Sequence, residues 1–127
     1  MPRAVHFEIA ADDIEKLALF YQQVFGWQLN WWREGMPYII CNTGAGAGIS
    51  GAFTKRMMPN QSTINTIDVP SVDEFLAKVE QAGGQIVAPK MEIPDVGFLA
   101  YCRDLEGNVF GILEPLAPVP VEAQQSA

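Results

Sequence analysis

The chain is predicted to be α+β, built from two βαβββ modules in tandem. Three observations predict this. Residues 6–51 and 64–111 follow one plan: a short strand-like run, a capped amphipathic stretch ending in Gly, then three more strand-like runs. Each amphipathic stretch opens on a capping residue and repeats its apolar residues at helical spacing. Laid half over half, His6-Phe7-Glu8-Ile9 covers Ile64-Asn65-Thr66-Ile67, Cys41 covers Cys102, and Gly51 covers Gly111. The likeness is one of pattern more than of side-chain identity.

The first module opens with alternation over residues 5–10. Val5, Phe7 and Ile9 fall on one face, His6, Glu8 and Ala10 on the other. Asp12 and Asp13 then start a helix, and Asp12 with Glu15 resembles a capping box. Ile14, Leu17, Ala18, Tyr21, Val24 and Phe25 form its apolar stripe, and Gly26 ends it. Residues 27–33 and 37–42 read as strands joined by a turn at Glu34-Gly35. The run Gly44-Ala45-Gly46-Ala47-Gly48 lacks the Gly-Lys-Ser/Thr of a phosphate loop and is followed by no helix pattern. It reads as a turn feeding a strand at residues 49–54. The polar stretch 55–62, with Pro59 and Asn60, links the modules.

In the second module residues 63–69 are strand-like. Ser71 and Glu74 make a Ser-x-x-Glu capping box behind Pro70. Val72, Phe75, Leu76, Val79 and Ala82 form the stripe, and Gly83-Gly84 ends the helix. A short strand is expected at 85–88, limited by Pro89 and Pro94. Strands at 97–103 and 108–113 flank the hairpin turn Asp104-Leu105-Glu106-Gly107-Asn108. Residues 1–117 are thus expected to form one domain with modules at 4–54 and 62–114, and 118–127 a disordered tail.

Eight basic and fifteen acidic side chains give a net charge of −7. The basic residues are scattered, so a phosphate backbone would be repelled and nucleic acid is not an expected partner. No apolar run approaches the ~18 residues that span a bilayer, and the N-terminus shows no apolar export signal. Neither a membrane nor an anionic lipid surface is an expected partner. Cys41 and Cys102 sit in apolar runs without CxxC spacing, which reads as two reduced core residues in a cytoplasmic protein.

Three stretches resemble the vicinal oxygen chelate superfamily of glyoxalases, bleomycin-resistance proteins and extradiol dioxygenases. They are His6-Phe7-Glu8-Ile9 with Asp12-Asp13 and the Phe20-Tyr21…Val24-Phe25-Gly26-Trp27 run; Ile67-Asp68-Val69 with Gly83-Gly84; and Val96-Gly97-Phe98 through Asp104-Leu105-Glu106-Gly107-Asn108-Val109-Phe110-Gly111. The resemblance covers nearly the whole chain except the tail. It implies a cupped eight-stranded mixed sheet, helices on the convex face, a ligand in the cup and a homodimer. In metal-dependent members it implies His, Gln or Glu ligands from the first and last strand of each module.

The matching positions here are His6, Gly51, Ile64 and Gly111, and only His6 is a ligand type. An ion needs three or four donors, so no metal and no other cofactor is expected. Glu114 is three residues past Gly111, on the opposite face of a regular strand unless a bulge turns it. If His6 faces the cup, so does Glu8, and the pair suits acid–base chemistry with the carboxylate raising the imidazole pKa. Trp32, Tyr38, Tyr101 and Arg103 are further cup candidates, suited to a small organic anion. Three functions are compatible with this: a metal-independent binder of a small organic molecule; a lyase or isomerase with His6 as acid/base and Arg103 as anion anchor; or a structural or regulatory module whose cup its own side chains fill.

Overall fold

The computed structural model describes residues 1–31 and 36–116. The elements are β1 (Ala4–Ala11), α1 (Ile14–Phe25), β2 (Gln28–Trp31), β3 (Tyr38–Asn42), β4 (Gly51–Lys55), β5 (Thr63–Asp68), α2 (Val72–Gln81), β6 (Gln85–Ile93), β7 (Gly97–Arg103) and β8 (Val109–Pro115). This is the expected α+β plan, with eight strands of mixed sense and one helix in each βαβββ module. Among the described residues, one compact unit runs from His6 to Thr63, and the other joins Met1–Val5 to the chain from Ile64 to Leu116. The expected tail lies outside the described residues.

In the first unit the strand order is β2-β3-β4-β1, with β1 and β4 parallel and the other pairs antiparallel. Asp13, not Asp12, caps α1: its carboxylate accepts the Lys16 N–H at 3.1 Å. Asp12 instead accepts from Arg56 Nε at 3.1 Å, anchoring the link after β4. Gly26 ends the helix in the left-handed region at φ 75, a conformation that costs glycine little.

The apolar stripe of α1 covers one face of this sheet. Ile14, Leu17, Ala18 and Tyr21 pack with Phe7, Ile9 and Ala11 of β1, Ile39 and Cys41 of β3, and Phe53 of β4. Trp27 stacks on Tyr21 with ring centroids 5.2 Å apart, and Phe53 lies 5.3 Å from Tyr21. Burying a Phe side chain of this kind stabilises by about 2–3 kcal/mol. Because strand side chains alternate, His6, Glu8 and Ala10, Tyr38 and Ile40, and Ala52 and Thr54 take the face that carries no helix.

Gly51 departs from expectation. It pairs with Phe7 and Cys41, both on the helix side. A Cβ there would strike the Phe7 carbonyl oxygen and come within 2.6 Å of the Phe7 ring. Glycine is present so that an aromatic ring can lie against the strand. The register sets Glu8 beside Ala52 and Thr66 beside Gly111, so the counterpart of Gly111 is Ala52. Pattern alone could not separate two adjacent small residues.

In the second unit the order is β5-β8-β7-β6, with β5 and β8 parallel. Ser71 caps α2 as expected, its hydroxyl accepting the Glu74 N–H at 3.2 Å. Val72, Phe75 and Leu76 pack over Ile67, Val69, Phe98, Ala100, Phe110 and Ile112. Glu114 Oε1 accepts the Val72 N–H at 2.9 Å, so its carboxylate serves the start of α2 on the helix side. The β7–β8 register is unbroken and provides no bulge to redirect it. Strand β6 runs to Ile93, well past the expected end, because register shifts on either side of Ala88 admit Pro89 to an edge strand. No helix among the described residues is long and apolar enough to cross a membrane.

The two glycines therefore differ in tolerance. At Gly111 an added Cβ meets Thr66 Oγ1 at 3.1 Å and Tyr101 Cε1 at 3.4 Å, contacts that a small rotation relieves. Gly51→Ala is expected to cost about 3 kcal/mol or more, and Gly111→Ala less than about 1 kcal/mol. Urea unfolding of both variants checks this; equal losses would contradict a register that sets Gly51 against Phe7.

Candidate functional site

Three of the sequence-predicted residues meet on the helix-free face of the first unit. His6 Nε2 lies 2.9 Å from Tyr38 Oη. Either the phenol donates to the bare nitrogen or the ring N–H donates to the phenol oxygen. Tyr38 stands on β3 and His6 on β1, with β4 between them. At the crossing, β4 carries Ala52, fully buried and paired with both Glu8 and Ile40. Its methyl leaves room for the tyrosine to lean back across the strand.

Glu8, two residues along β1, is 7% exposed and acts electrostatically on His6. The sequence led us to expect that this carboxylate would raise the imidazole pKa. It does pull upward, but burial of the ring outweighs it and the pKa falls below its ordinary value. At neutral pH the imidazole is therefore uncharged. A neutral imidazole hydrogen-bonded to a phenol can accept or relay a proton, or hold a polar ligand atom.

In the second unit, alternation along β7 sets Phe98, Ala100 and Cys102 toward α2 and Tyr101 and Arg103 on the helix-free face. Tyr101 pairs with Gly111, and Arg103 with Val109. Thr66 of β5 joins this face beside Gly111 and was not singled out from the sequence. The signal was present: an isolated hydroxyl on the same side of its strand as the buried Ile64. Trp32 lies outside the described residues.

The helix-free positions of β1 and β4 offer His6 and Glu8 with Ala52, and those of β5 and β8 offer Thr66 with Gly111. Among the described residues no three His, Cys, Asp or Glu side chains come together as a metal site. The donor set does not fit the ion that the superfamily resemblance implies. Cys41 and Cys102 are buried, and burial pushes both thiols up, with Glu80 adding to this at Cys102. They suit neither metal binding nor nucleophilic chemistry. A groove of about 940 Å³ opens where α1 begins, walled by Asp12, Glu15, Trp31, Met36 and Lys55. Neither His6, Glu8 nor Tyr38 is among its lining residues.

The sequence profile of the Glyoxalase/Bleomycin resistance protein/Dioxygenase superfamily matches residues 3–112. This chain belongs to that superfamily. Its similarity to the protein CFP32 of Mycobacterium bovis and Mycobacterium tuberculosis, provisionally named a glyoxylase, is 30% identity over 112 residues, 85% of this chain. The chain spans 42% of the length of those relatives. Among solved structures, a hypothetical protein from Bacillus halodurans superposes with a TM-score of 0.66 at 14% identity, covering 94% of this chain and 98% of that one. Methylmalonyl-CoA epimerase from Mycobacterium tuberculosis gives 0.66 at 13%, covering 91% and 88%. A superfamily member from Vibrio splendidus gives 0.65 at 13%, covering 90% and 99%. At such identities the likeness establishes the shared glyoxalase-type fold and nothing finer.

His6 is the single histidine, so its titration can be isolated. Its folded pKa lies below the unfolded value of 6.5. The unfolded chain therefore binds a proton that the folded chain resists. Stability should be full above pH 6.5 and decline as pH falls toward the lowered folded value, by at most about 1.4 kcal/mol per pH unit. Urea unfolding between pH 7.5 and pH 5 checks this, at roughly half-unit steps. In His6→Gln the slope just below pH 6.5 should vanish; an unchanged slope would assign the titration elsewhere.

Proposed function

We propose that this superfamily member binds a small organic molecule directly on the helix-free face of its first unit, with no resident metal. The His6–Tyr38 hydrogen bond beside the buried Glu8 carries the reading. Holding such polar groups on a largely buried sheet face costs desolvation energy, a cost that contact with a ligand explains better than packing does. The incomplete donor set supports direct contact between side chains and ligand. Reduced, buried cysteines accord with the cytoplasm. A second copy of the chain would cover Phe20, Val24 and Phe25, which α1 leaves more than half exposed. The corresponding expectation is a mass of twice 14.0 kDa by light scattering.

A second reading, a lyase or isomerase with His6 as acid/base, is favoured by the lowered imidazole pKa. A neutral imidazole is ready to take a proton from a carbon acid at neutral pH. Methylmalonyl-CoA epimerase, a protein of the same fold, is by its name an epimerase of an acyl-CoA, which keeps an isomerase in view.

Screening small metabolites by thermal shift tests both readings, since a ligand that binds only the folded chain raises the apparent melting temperature. We expect a ligand whose stabilisation survives exhaustive chelation. Tyr38→Phe should weaken it by about 1–2 kcal/mol, and His6→Ala by at least as much. Turnover of that ligand would select the enzyme. Binding that requires a full equivalent of divalent metal, or that ignores both substitutions, would sink the proposal.

A further inference from the structure

We propose that the hollow over Gly111 in the second unit receives an oxyanion of the ligand, a carboxylate or phosphate oxygen, between Thr66 and Arg103. The inference rests on the helix-free faces being ligand surfaces, and it names the chemical class of what binds.

Thr66 is only 3% exposed. No hydrogen bond to its side chain is found among the described residues, where every fully sealed side-chain polar atom has a partner. The hydroxyl of this buried residue therefore keeps a narrow opening. It faces the space above Gly111: Oγ1 lies 3.1 Å from where a glycine Cβ would stand. Tyr101 Cε1 lies 3.4 Å from the same point. The hollow thus has a backbone floor, a hydroxyl wall and an aromatic edge. A hydroxyl can donate, and a ring edge carries the positive part of its quadrupole, so both suit a negative atom.

Arg103 supplies the charge. It shares the helix-free face of β7 with Tyr101 and stands opposite Val109, diagonal to Gly111. Long side chains bridge such diagonals, at roughly 7–8 Å. Beyond its backbone pairing in the sheet, the Arg103 side chain makes no hydrogen bond or ion pair among the described residues, in a chain with fifteen acidic side chains. The superfamily resemblance places a carboxylate ligand for a cation at Gly111. Here glycine replaces the carboxylate, and the groups around that position are donors. The preference at this point of the sheet is reversed from cation to anion.

The test uses the full chain, isotope-labelled, with the amide resonances of Thr66, Tyr101 and Gly111 as reporters. The probes are benzoate, inorganic phosphate and benzamide, the last an uncharged counterpart of the first. Benzoate, phosphate or both should shift these resonances saturably, and benzamide should not. A response to benzoate alone assigns a carboxylate; a response to phosphate assigns a phosphate group. Arg103→Gln should weaken the response roughly tenfold or more, and Thr66→Val severalfold, in line with lost hydrogen bonds to a charged group. Arg103 is not buried, so its variant decides the matter even if Thr66→Val fails to fold. No response to either anion, an equal response to benzamide, or a response that survives Arg103→Gln overturns the inference. Anion binding here while His6→Ala leaves ligand uptake intact would instead remove the first-unit reading alone.

Discussion

The close approach of Phe7 to Gly51 sets the strand register, the core and the polar pair of the first unit. A parallel strand pair is specified by which side chains can face each other, and a slip of one residue sends every side chain to the opposite face. The Phe7 ring and carbonyl occupy the space that any other residue at position 51 would need. That contact pins β1 against β4, and with it Glu8 beside Ala52. The same register directs Phe7, Ile9 and Ala11 into the core under α1 and leaves His6 and Glu8 on the helix-free face. The small side chain of Ala52 then lets Tyr38 reach His6. Core packing and the polar pair are thus two consequences of one steric contact.

The helices were legible because their signals are local. Ser71 caps α2 and Gly26 ends α1 where the spacing predicted. Asp13 displaced Asp12 as the cap because Arg56, distant in sequence, claims Asp12. Strand extent was less legible. Pro89 marked an end to β6 on chemical grounds, yet an edge strand with shifted register passes it. Of the site, His6 and Tyr38 were both visible in the sequence, but their hydrogen bond was not, since it depends on the register across a third strand. Gly51 and Ala52 are both small, so a period-2 pattern does not say which of them matches Gly111; the register selects Ala52. Thr66 was overlooked because a single hydroxyl in a strand ordinarily reads as surface.

Electrostatics within the sheet reflect competition between burial and local partners. At His6 the nearby Glu8 favours the protonated ring, but loss of water costs that ion more. The outcome is a neutral imidazole with a phenol at hydrogen-bond distance. At Cys41 backbone hydrogen bonds favour the thiolate, and burial again outweighs them; at Cys102 burial and Glu80 act in the same direction. Both thiols are held toward inertness. These groups therefore divide by face: the cysteines lie under the helices with their thiols pushed up, and the imidazole lies on the helix-free face in its neutral form. A metal would invert this balance; among the described residues no three His, Cys, Asp or Glu side chains come together to hold one.

The central proposal is that the helix-free face of the first unit, at His6, is where a ligand meets the protein. The single imidazole reports on it directly. Its ring nitrogens can be followed by nitrogen-15 NMR at neutral pH before and after addition of a fractionated metabolite extract. The expected result is a neutral ring at the start, whose signals move saturably with one fraction. A ring already protonated at pH 7, or one that no fraction disturbs while the protein takes up a ligand, would contradict it.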